Sequence, residues 1–195
     1  MADIISLPKP SLKGPLSLEE TLLQRRSRRQ FTSDPLTMDQ VSQLLWAAQG
    51  ITNERGFRTA PSAGALYPLE IYILSQDGIF HYQPGANALV QHREGDFRRD
   101  VYEVALRQDA IIQAPMTVVI TAVYARTSWK YGPARTPRYV HMEVGHAAQN
   151  LLLQAVSLGL GAVPIGAFED NKVQTVLGLP EDHEPLYLIP VGYTE

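Results

Sequence analysis

The spacing of apolar residues divides the chain into helical and extended segments. Helices are predicted after Ser17 and Thr37, each of which opens a capping box, and again across residues 97–114. The longest helical pattern covers residues 139–158. Its wide stripe of apolar and small side chains is typical of a helix at the centre of a core or of a dimer. A further short helix is expected to be capped by Asp170.

Extended segments alternate with these helices. Asp77 and Gly78 lie between two of them and predict a hairpin. His81 alternates with apolar neighbours and is expected to face solvent, and residues 124–138 are expected to form a long loop. The fourth strand is punctuated by glycines, which leave its backbone exposed. The five predicted strands cover residues 69–75, 79–82, 116–123, 159–168 and 186–191.

Composition restricts the class of protein. The 195 residues fit an extended arm at 1–16 and a single domain at 17–195. A hydrophobic share of 45% with 19% charged residues is typical of a soluble globular protein, and a net charge of −3 argues against nucleic acid as a partner. The lack of cysteine excludes disulfides, thiolate metal sites and iron–sulfur clusters. Without a signal peptide or a membrane-length apolar run, we expect a cytoplasmic protein that does not contact the membrane.

Residues 58–68, here called the central loop, lead directly into the first long strand. Small residues lie between Pro61 and Pro68, so little side-chain bulk covers the backbone. Gly64 can adopt backbone angles that its neighbours avoid. Such a loop either lets a flat ligand approach the peptide planes or is an ordinary linker into a strand.

Arg25, Arg26, Arg28 and Arg29, here called the arginine cluster, surround Ser27. Guanidinium groups and a hydroxyl match the oxygens of a phosphate monoester, although most charge runs are simply solvated faces. Together with the central loop and the glycine-punctuated strand, the cluster could hold a phosphorylated planar cofactor such as a flavin.

Other common sites are not indicated. His141 and His146 are five residues apart on the long helical segment and share a face poorly, so no metal site is predicted. The Gly159–Gly161 pair follows a helix instead of opening one, which is not the dinucleotide-binding arrangement.

Five ordered segments resemble motifs of the nitroreductase superfamily. Within it, they are most similar to the SagB-type dehydrogenases, which include thiazoline and oxazoline oxidases. The resemblance covers nearly everything from Ser17 onward. The segments are Arg25-Arg26-Ser27-x-Arg29-x-Phe31, Pro61 to Pro68, Glu143-x-Gly145-His146-x-x-Gln149-Asn150, Gly159 to Phe168, and Pro185-Leu186-Tyr187 through Pro190-Val191-Gly192.

The resemblance implies an α+β, nitroreductase-like fold with a central, mostly antiparallel sheet flanked by helices. It also implies a homodimer, with the long central helix at the dimer interface and FMN bound between the subunits. Arg25, Arg26 and Ser27 would face the phosphate and ribityl end, and Arg29 would approach the pyrimidine edge of the ring. The central loop of the partner would lie by the ring, and the glycine segment would present amides near flavin N5. The implied FMN-binding residues are Arg25, Arg26, Ser27, Arg29, Pro61, Ser62, Ala63, Gly64, Gln108, Pro164, Ile165, Gly166 and Ala167.

Two departures from the family pattern and one further similarity bear on how far the resemblance extends. Ala65 stands where nitroreductases usually have asparagine, and no basic residue follows Gly192 to clamp a phosphate. Lys130 and Tyr131 resemble a lysine–tyrosine pair of azoline oxidases, which implies catalytic roles in proton removal.

The function expected from these features is that of an FMN-dependent oxidoreductase. It would pass electrons between a small-molecule or modified-peptide substrate and a second donor or acceptor. NAD(P)H-driven reduction and azoline-type dehydrogenation both remain open. A non-catalytic flavin-binding or docking subunit of the same fold is the alternative, and a phosphoanion-binding protein without flavin is a third.

Overall fold

The structure is a computed structural model that describes residues 3–194. Seven strands and seven α-helices are found within this range, together with a 3₁₀ turn at Ala63–Ala65. The strands are β1 Ile4–Ser6, β2 Leu69–Ser75, β3 Gly78–Gln83, β4 Ala88–Glu94, β5 Met116–Ala122, β6 Gly161–Ala162 and β7 Glu184–Gly192. The helices are α1 Leu18–Gln24, α2 Met38–Gln49, α3 Arg98–Val104, α4 Ala110–Gln113, α5 Ala125–Tyr131, α6 Thr136–Ser157 and α7 Asp170–Leu177.

The strands form one sheet in the order β1-β4-β3-β2-β5-β7-β6, and every pairing between named strands is antiparallel. Side chains alternate across this sheet. Ile71 and Ile73 face α2 and α6, whereas Tyr72 and Leu74 face α3, α4 and α7. The sheet therefore lies between two helical layers, and the α+β prediction with a mostly antiparallel sheet is confirmed.

Helix α6 is the longest element, with 22 residues. It starts three residues earlier than predicted, because Pro137 is tolerated in a first turn, where its missing N–H has no helical partner. Buried positions at helical spacing fix the face that packs on α2 and the sheet. These are Val140, Glu143, Val144, Ala147, Ala148, Leu151, Leu152 and Ala155.

The prediction of a loop over residues 124–138 is wrong. Residues Ala125–Tyr131 form helix α5, which ends at Gly132 with φ +75°. Of its seven residues only Thr127 is buried, so the segment lacks the apolar period that identifies a helix in a sequence.

The predicted strand over 159–168 is also mostly wrong. Only Gly161–Ala162 pairs as a strand, and Ile165 adds an isolated bridge to Leu188. Pro164 has no N–H to donate, so it interrupts the ladder between them.

Smaller differences concern single residues. His81 is not solvent-facing: its ring stacks on Tyr72 at 4.4 Å between centroids, and its Nε2 lies 2.6 Å from Glu70 Oε2. Asp170 is the first residue of α7 rather than its cap, and Glu169 occupies the cap position.

Two strands were not predicted: β1, which forms one edge of the sheet, and β4, which lies next to it. β1, within the N-terminal arm, pairs with β4 through Ile4 and Val90. The arm thus contributes the outermost strand of the sheet.

Within residues 3–194 no helix has the length and apolar character needed to cross a membrane.

Candidate functional site

The central loop is a tight turn. Gly64, Ala65 and Tyr67 all have positive φ, at +64°, +53° and +47°. Ser62 holds this shape from both sides: its Oγ accepts from the Tyr67 amide at 2.9 Å, and its carbonyl accepts from the Ala65 amide at 3.0 Å. Because L-residues rarely adopt positive φ, the loop keeps this form only with support from its surroundings.

Helix α5 supplies part of that support, and it brings the predicted catalytic pair to the loop. A Cβ atom added at Gly64 would lie 2.8 Å from Lys130 Nζ and 3.0 Å from Tyr131 OH. From the same helix, Arg126 donates to the Tyr67 carbonyl at 3.2 Å and also pairs with Glu70. The structure therefore places Lys130 and Tyr131 directly against the residues predicted to contact a flavin.

Glu70 ties this corner of the loop to the sheet. Burial alone would raise the pKa of its carboxyl group, but hydrogen bonds from His81 and Arg126 and the charges of the two side chains lower that pKa to about 2. Glu70 is consequently ionised at neutral pH and keeps Arg126 in place beneath Tyr67.

Helix α6 supports the other end of the loop. His146 Nδ1 donates to the Pro61 carbonyl at 3.2 Å, and Asn150 Nδ2 donates to the Thr59 carbonyl at 3.3 Å. Glu143 lies on the same face with only 2% of its surface exposed. Burial raises the pKa of Glu143 to about 7, although Ser62, Gln49 and the charge of Arg58 oppose that rise.

Arg58 closes the loop on itself. Its backbone amide donates to the Tyr67 hydroxyl at 3.2 Å, and its guanidinium group lies 4.8 Å from the centroid of the Tyr67 ring. The same guanidinium donates to Gln49 Oε1 at 2.8 Å. Burial lowers the pKa of Arg58, while the charges of Glu70 and Glu143 favour its cationic form.

A cavity of about 440 Å³ lies at the arginine cluster and is here called the arginine cavity. Its wall combines Arg25, Arg26 and Arg28 with Gly159, Leu160, Gly161, Ala162 and Thr194. The two segments meet through a hydrogen bond from the Arg28 amide to the Ala162 carbonyl, at 3.0 Å. The arginine cluster and the start of the glycine segment are thus brought together.

Gly161 makes this close approach feasible. A Cβ atom at that position would lie 2.3 Å from Thr194 Cγ2 and 2.8 Å from Arg28 Cβ, so any other residue would force these neighbours to move. Arg28 was treated as a spacer in the sequence motif, yet it lines the cavity. Ser27 and Arg29 are exposed and do not line it, although Ser27 pairs with Ala162 across a backbone bridge.

The predicted ring-facing segment lies farther along the chain. Ile165 exchanges two backbone hydrogen bonds with Leu188, and the next two residues, Gly166 and Ala167, are exposed. Gln108 Nε2 donates to the Ala167 carbonyl at 2.9 Å. The structure therefore brings Gln108 to the implied ring-facing segment, while Pro164 is half-buried at the start of that segment.

These groups fit a phosphorylated planar molecule. Three guanidinium groups around a cavity suit a phosphate. The exposed residues 166–167 and the partly exposed residues 61–64 carry little side-chain bulk, which suits close contact with a ring. Among the residues that the structure describes, the arginine cavity includes none from the central loop. Within residues 3–194, no three histidine, aspartate or glutamate side chains are grouped so that they could hold a metal ion.

Comparison with known proteins identifies relatives that match nearly the whole chain. A relative from Methanocaldococcus jannaschii, named "Putative nitroreductase MJ1384", is 44% identical over 198 residues and is matched over 98% of each chain. A crystal structure from Ralstonia eutropha JMP134, whose protein has the same description, superposes with a TM-score of 0.90 at 31% identity, over 98% of this chain and 90% of that one.

Two more distant structures share the fold. The Escherichia coli microcin synthetase McbBCD complex, with truncated pro-MccB17 bound, contains a chain with TM-score 0.75 at 21% identity, over 96% of this chain and 76% of that one. The NADPH:FMN oxidoreductase of Vibrio harveyi, complexed with NAD⁺, has a TM-score of 0.70 at 24% identity, over 91% of this chain and 66% of that one. The family model described as "Nitroreductase family" matches residues 22–193, and the chain therefore belongs to the nitroreductase family.

Proposed function

We propose that this protein is an FMN-dependent oxidoreductase. The observation that carries the proposal is the arginine cavity, in which Arg25, Arg26 and Arg28 meet the backbone around Gly161. The side chains provide paired donors for a phosphate, and the glycine lets the two segments approach closely enough to form one wall. The name of the Vibrio harveyi enzyme, whose fold is shared, supports FMN as the phosphorylated ligand.

The proposed FMN site is shared between two subunits. Arg25, Arg26 and Arg28 would contact the phosphate and ribityl end together with Ser27. Arg29 would lie at the pyrimidine edge of the ring, and residues 164–167 with Gln108 would lie along the ring. Residues Pro61, Ser62, Ala63 and Gly64 would come from the partner. A site divided in this way accounts for an arginine cavity that includes no described residue of the same chain's central loop. Residues 17–195 would form the FMN-binding domain.

Exposed apolar side chains favour this homodimer. Leu18, Leu22 and Leu23 of α1 are 61%, 51% and 72% exposed, and Met142 of the adjacent α6 is 54% exposed. Apolar side chains grouped on two neighbouring helices are typical of a protein–protein interface. Leu22→Asp is expected to yield a monomer with weakened FMN binding, whereas Leu106→Asp, at a similarly exposed residue outside these helices, should leave a dimer. Analytical ultracentrifugation distinguishes the two results.

FMN, when bound, supplies the electron transfer, since a flavin accepts and returns electrons in pairs or singly. The chain's own contribution would be to orient the substrate and to move a proton. Lys130 and Tyr131 lie at Gly64, where a nitrogen and a hydroxyl group could take a proton from a substrate or return one. Arg126 and Glu70 would keep the adjoining end of the loop fixed during this step.

The cofactor is tested by purification and titration. The protein is expected to be yellow and to release FMN on denaturation. Changing Arg25 and Ser27 together to alanine should weaken FMN binding by about tenfold or more, as expected for the loss of charge-assisted contacts. Arg98→Ala is the matched control, because Arg98 pairs with Asp96 outside the arginine cavity. A colourless wild-type protein that does not bind added FMN contradicts the proposal.

Two electron-transfer reactions are separated by stopped-flow reduction. Rapid bleaching of the bound flavin by NADH or NADPH indicates a reductase, the reaction class named for the Vibrio harveyi protein. Inertness to both nicotinamides, with reduction by a thiazoline-containing peptide, indicates a dehydrogenase of modified peptides. The fold shared with a chain of the microcin synthetase complex supports the second reaction. Protein that binds FMN but reacts with neither would indicate a non-catalytic flavin-binding subunit.

A further inference from the structure

Three side chains of one helical motif converge on a single stretch of the central loop. Glu143, His146 and Asn150 are spaced so that they share one face of α6. His146 and Asn150 bind the carbonyl groups of Pro61 and Thr59 directly. Glu143 is close enough to Ser62 for the Ser62 hydroxyl group to lower the pKa of its carboxyl group, against the larger effect of burial, which raises that pKa. This face of α6 is therefore a support for residues 59–62.

Glu143 differs from the other two in its burial. Among the buried residues that the structure describes, Glu143 is the only acidic or basic residue. Within that same part of the chain, its Oε1 atom has no hydrogen-bond partner, and neither has Nε2 of neighbouring Gln49. Burying a carboxyl group costs free energy unless the group is hydrogen-bonded, paired with a charge or neutral, so a buried glutamate with an unpartnered oxygen beside the loop suggests a role there.

Ser62 connects Glu143 to the strained part of the loop. Its Oγ already accepts from the Tyr67 amide, which leaves the hydroxyl hydrogen available to the carboxyl group beside it. The same Ser62–Tyr67 bond spans Gly64 and Ala65, whose φ angles are positive. Any change that turns the Ser62 side chain therefore also releases the strained part of the loop.

We propose that Glu143 is a positioning residue, whose buried carboxyl group fixes Ser62 and thereby holds the central loop in the shape that contacts FMN. The proposal rests on the proposed function for its link to FMN, but the effect on the loop belongs to the protein without cofactor. Burial favours the protonated carboxyl group, which can both donate and accept at Ser62.

Hydrogen exchange of the cofactor-free protein tests whether Glu143 holds the central loop in its shape. Glu143→Ala is expected to speed exchange at the Ala65 and Tyr67 amides by about tenfold, because these amides are protected only while Ser62 accepts from them. Glu143→Gln, which keeps the shape and hydrogen-bonding capacity, should stay within about threefold of wild type. Gln154→Ala is the matched control, since Gln154 is on the same helix but binds Gln43 instead of the loop.

An FMN titration tests the second part. Glu143→Ala should weaken FMN binding by about tenfold and Glu143→Gln should restore it. Wild-type exchange at residues 62–67 in Glu143→Ala, or equal loss of protection in Gln154→Ala, overturns the positioning role. Failure of the wild-type protein to bind FMN instead overturns the proposed function and leaves the exchange result to decide the role of Glu143 in the loop.

Discussion

Gly64 and Lys130 are packed so closely that a Cβ atom on residue 64 would lie 2.8 Å from the Lys130 nitrogen. Gly64 belongs to the loop that leads into β2, and Lys130 belongs to the helix that follows β5. Since β2 and β5 are antiparallel neighbours, the start of β2 lies beside the end of β5, at the same end of these two strands. The sheet register is thus what brings the proposed proton-transferring residues to the proposed flavin loop.

Gly64→Ala should separate strain from function. Residue 64 has positive φ, so alanine is expected to cost about 1 kcal/mol of unfolding free energy. Gly56→Ala is the matched control, because Gly56 also has positive φ but has no atom within 4 Å of an added Cβ. Both variants should lose similar stability in urea denaturation, but only Gly64→Ala displaces Lys130 and should slow turnover, by about tenfold. Equal turnover in the two variants would contradict the importance of this contact.

Lys130→Met and Tyr131→Phe should each slow substrate turnover by about a hundredfold, as expected for loss of a group that moves a proton. FMN content should not change, because the arginine cavity includes neither residue. Turnover is measured with the substrate identified by flavin reduction, and FMN content by absorbance. Lys172→Met serves as control, since Lys172 pairs with Glu169 on α7. Wild-type rates in both variants would remove the catalytic assignment.

Glu70 should make the protein less stable in acid. Its folded-state pKa of about 2 is below the ordinary value of 4.5, so its stabilising effect is complete above pH 4.5 and is lost as the pH falls towards 2. The shift corresponds to roughly 3 kcal/mol at most. Urea denaturation from pH 2 to 7 should show this loss in wild type and a much flatter profile in Glu70→Gln. Asp96→Asn should flatten it far less, because Asp96 is more exposed.

Glu143 should have the opposite effect on stability. Its folded-state pKa of about 7 is above 4.5, so its contribution is complete below pH 4.5 and is lost as the pH rises through 7. The charged group facing it is Arg58, which limits the loss. Glu143→Gln should therefore gain stability relative to wild type between pH 4.5 and 8, by roughly 3 kcal/mol at most. A difference that does not vary with pH would show that Glu143 does not retain its proton.

Local chemistry explains which parts of the fold could be predicted. Ser17 and Thr37 form the capping boxes that their sequences indicate, and Asp77 lies in the hairpin turn expected before β3. These features depend on residues a few positions apart. Helix α5 could not be found in this way, because its position depends on contacts of Arg126 and Lys130 with the distant central loop.

In the candidate site, too, features set by neighbouring residues could be predicted, whereas features set by distant contacts could not. The arginine cluster and the glycine segment were identified by composition, but the part of Arg28 in the cavity wall depends on its pairing with Ala162. Glu143 did leave a signal in the sequence. It is a carboxylate between Val140 and Ala147 in an otherwise apolar stripe, and a charge at a core position of a helix indicates either a partner or a function.

The position of Thr194 in the arginine cavity also constrains the order of events during biosynthesis. The cavity wall joins residues 23–26 and 28 with residue 194, and β7 must pair before the two segments can meet. The arginines are translated early, but they have no completed pocket until nearly 170 further residues have left the ribosome. A ligand held between these arginines and Thr194 would therefore be captured only after residue 194 has been synthesised and β7 has paired.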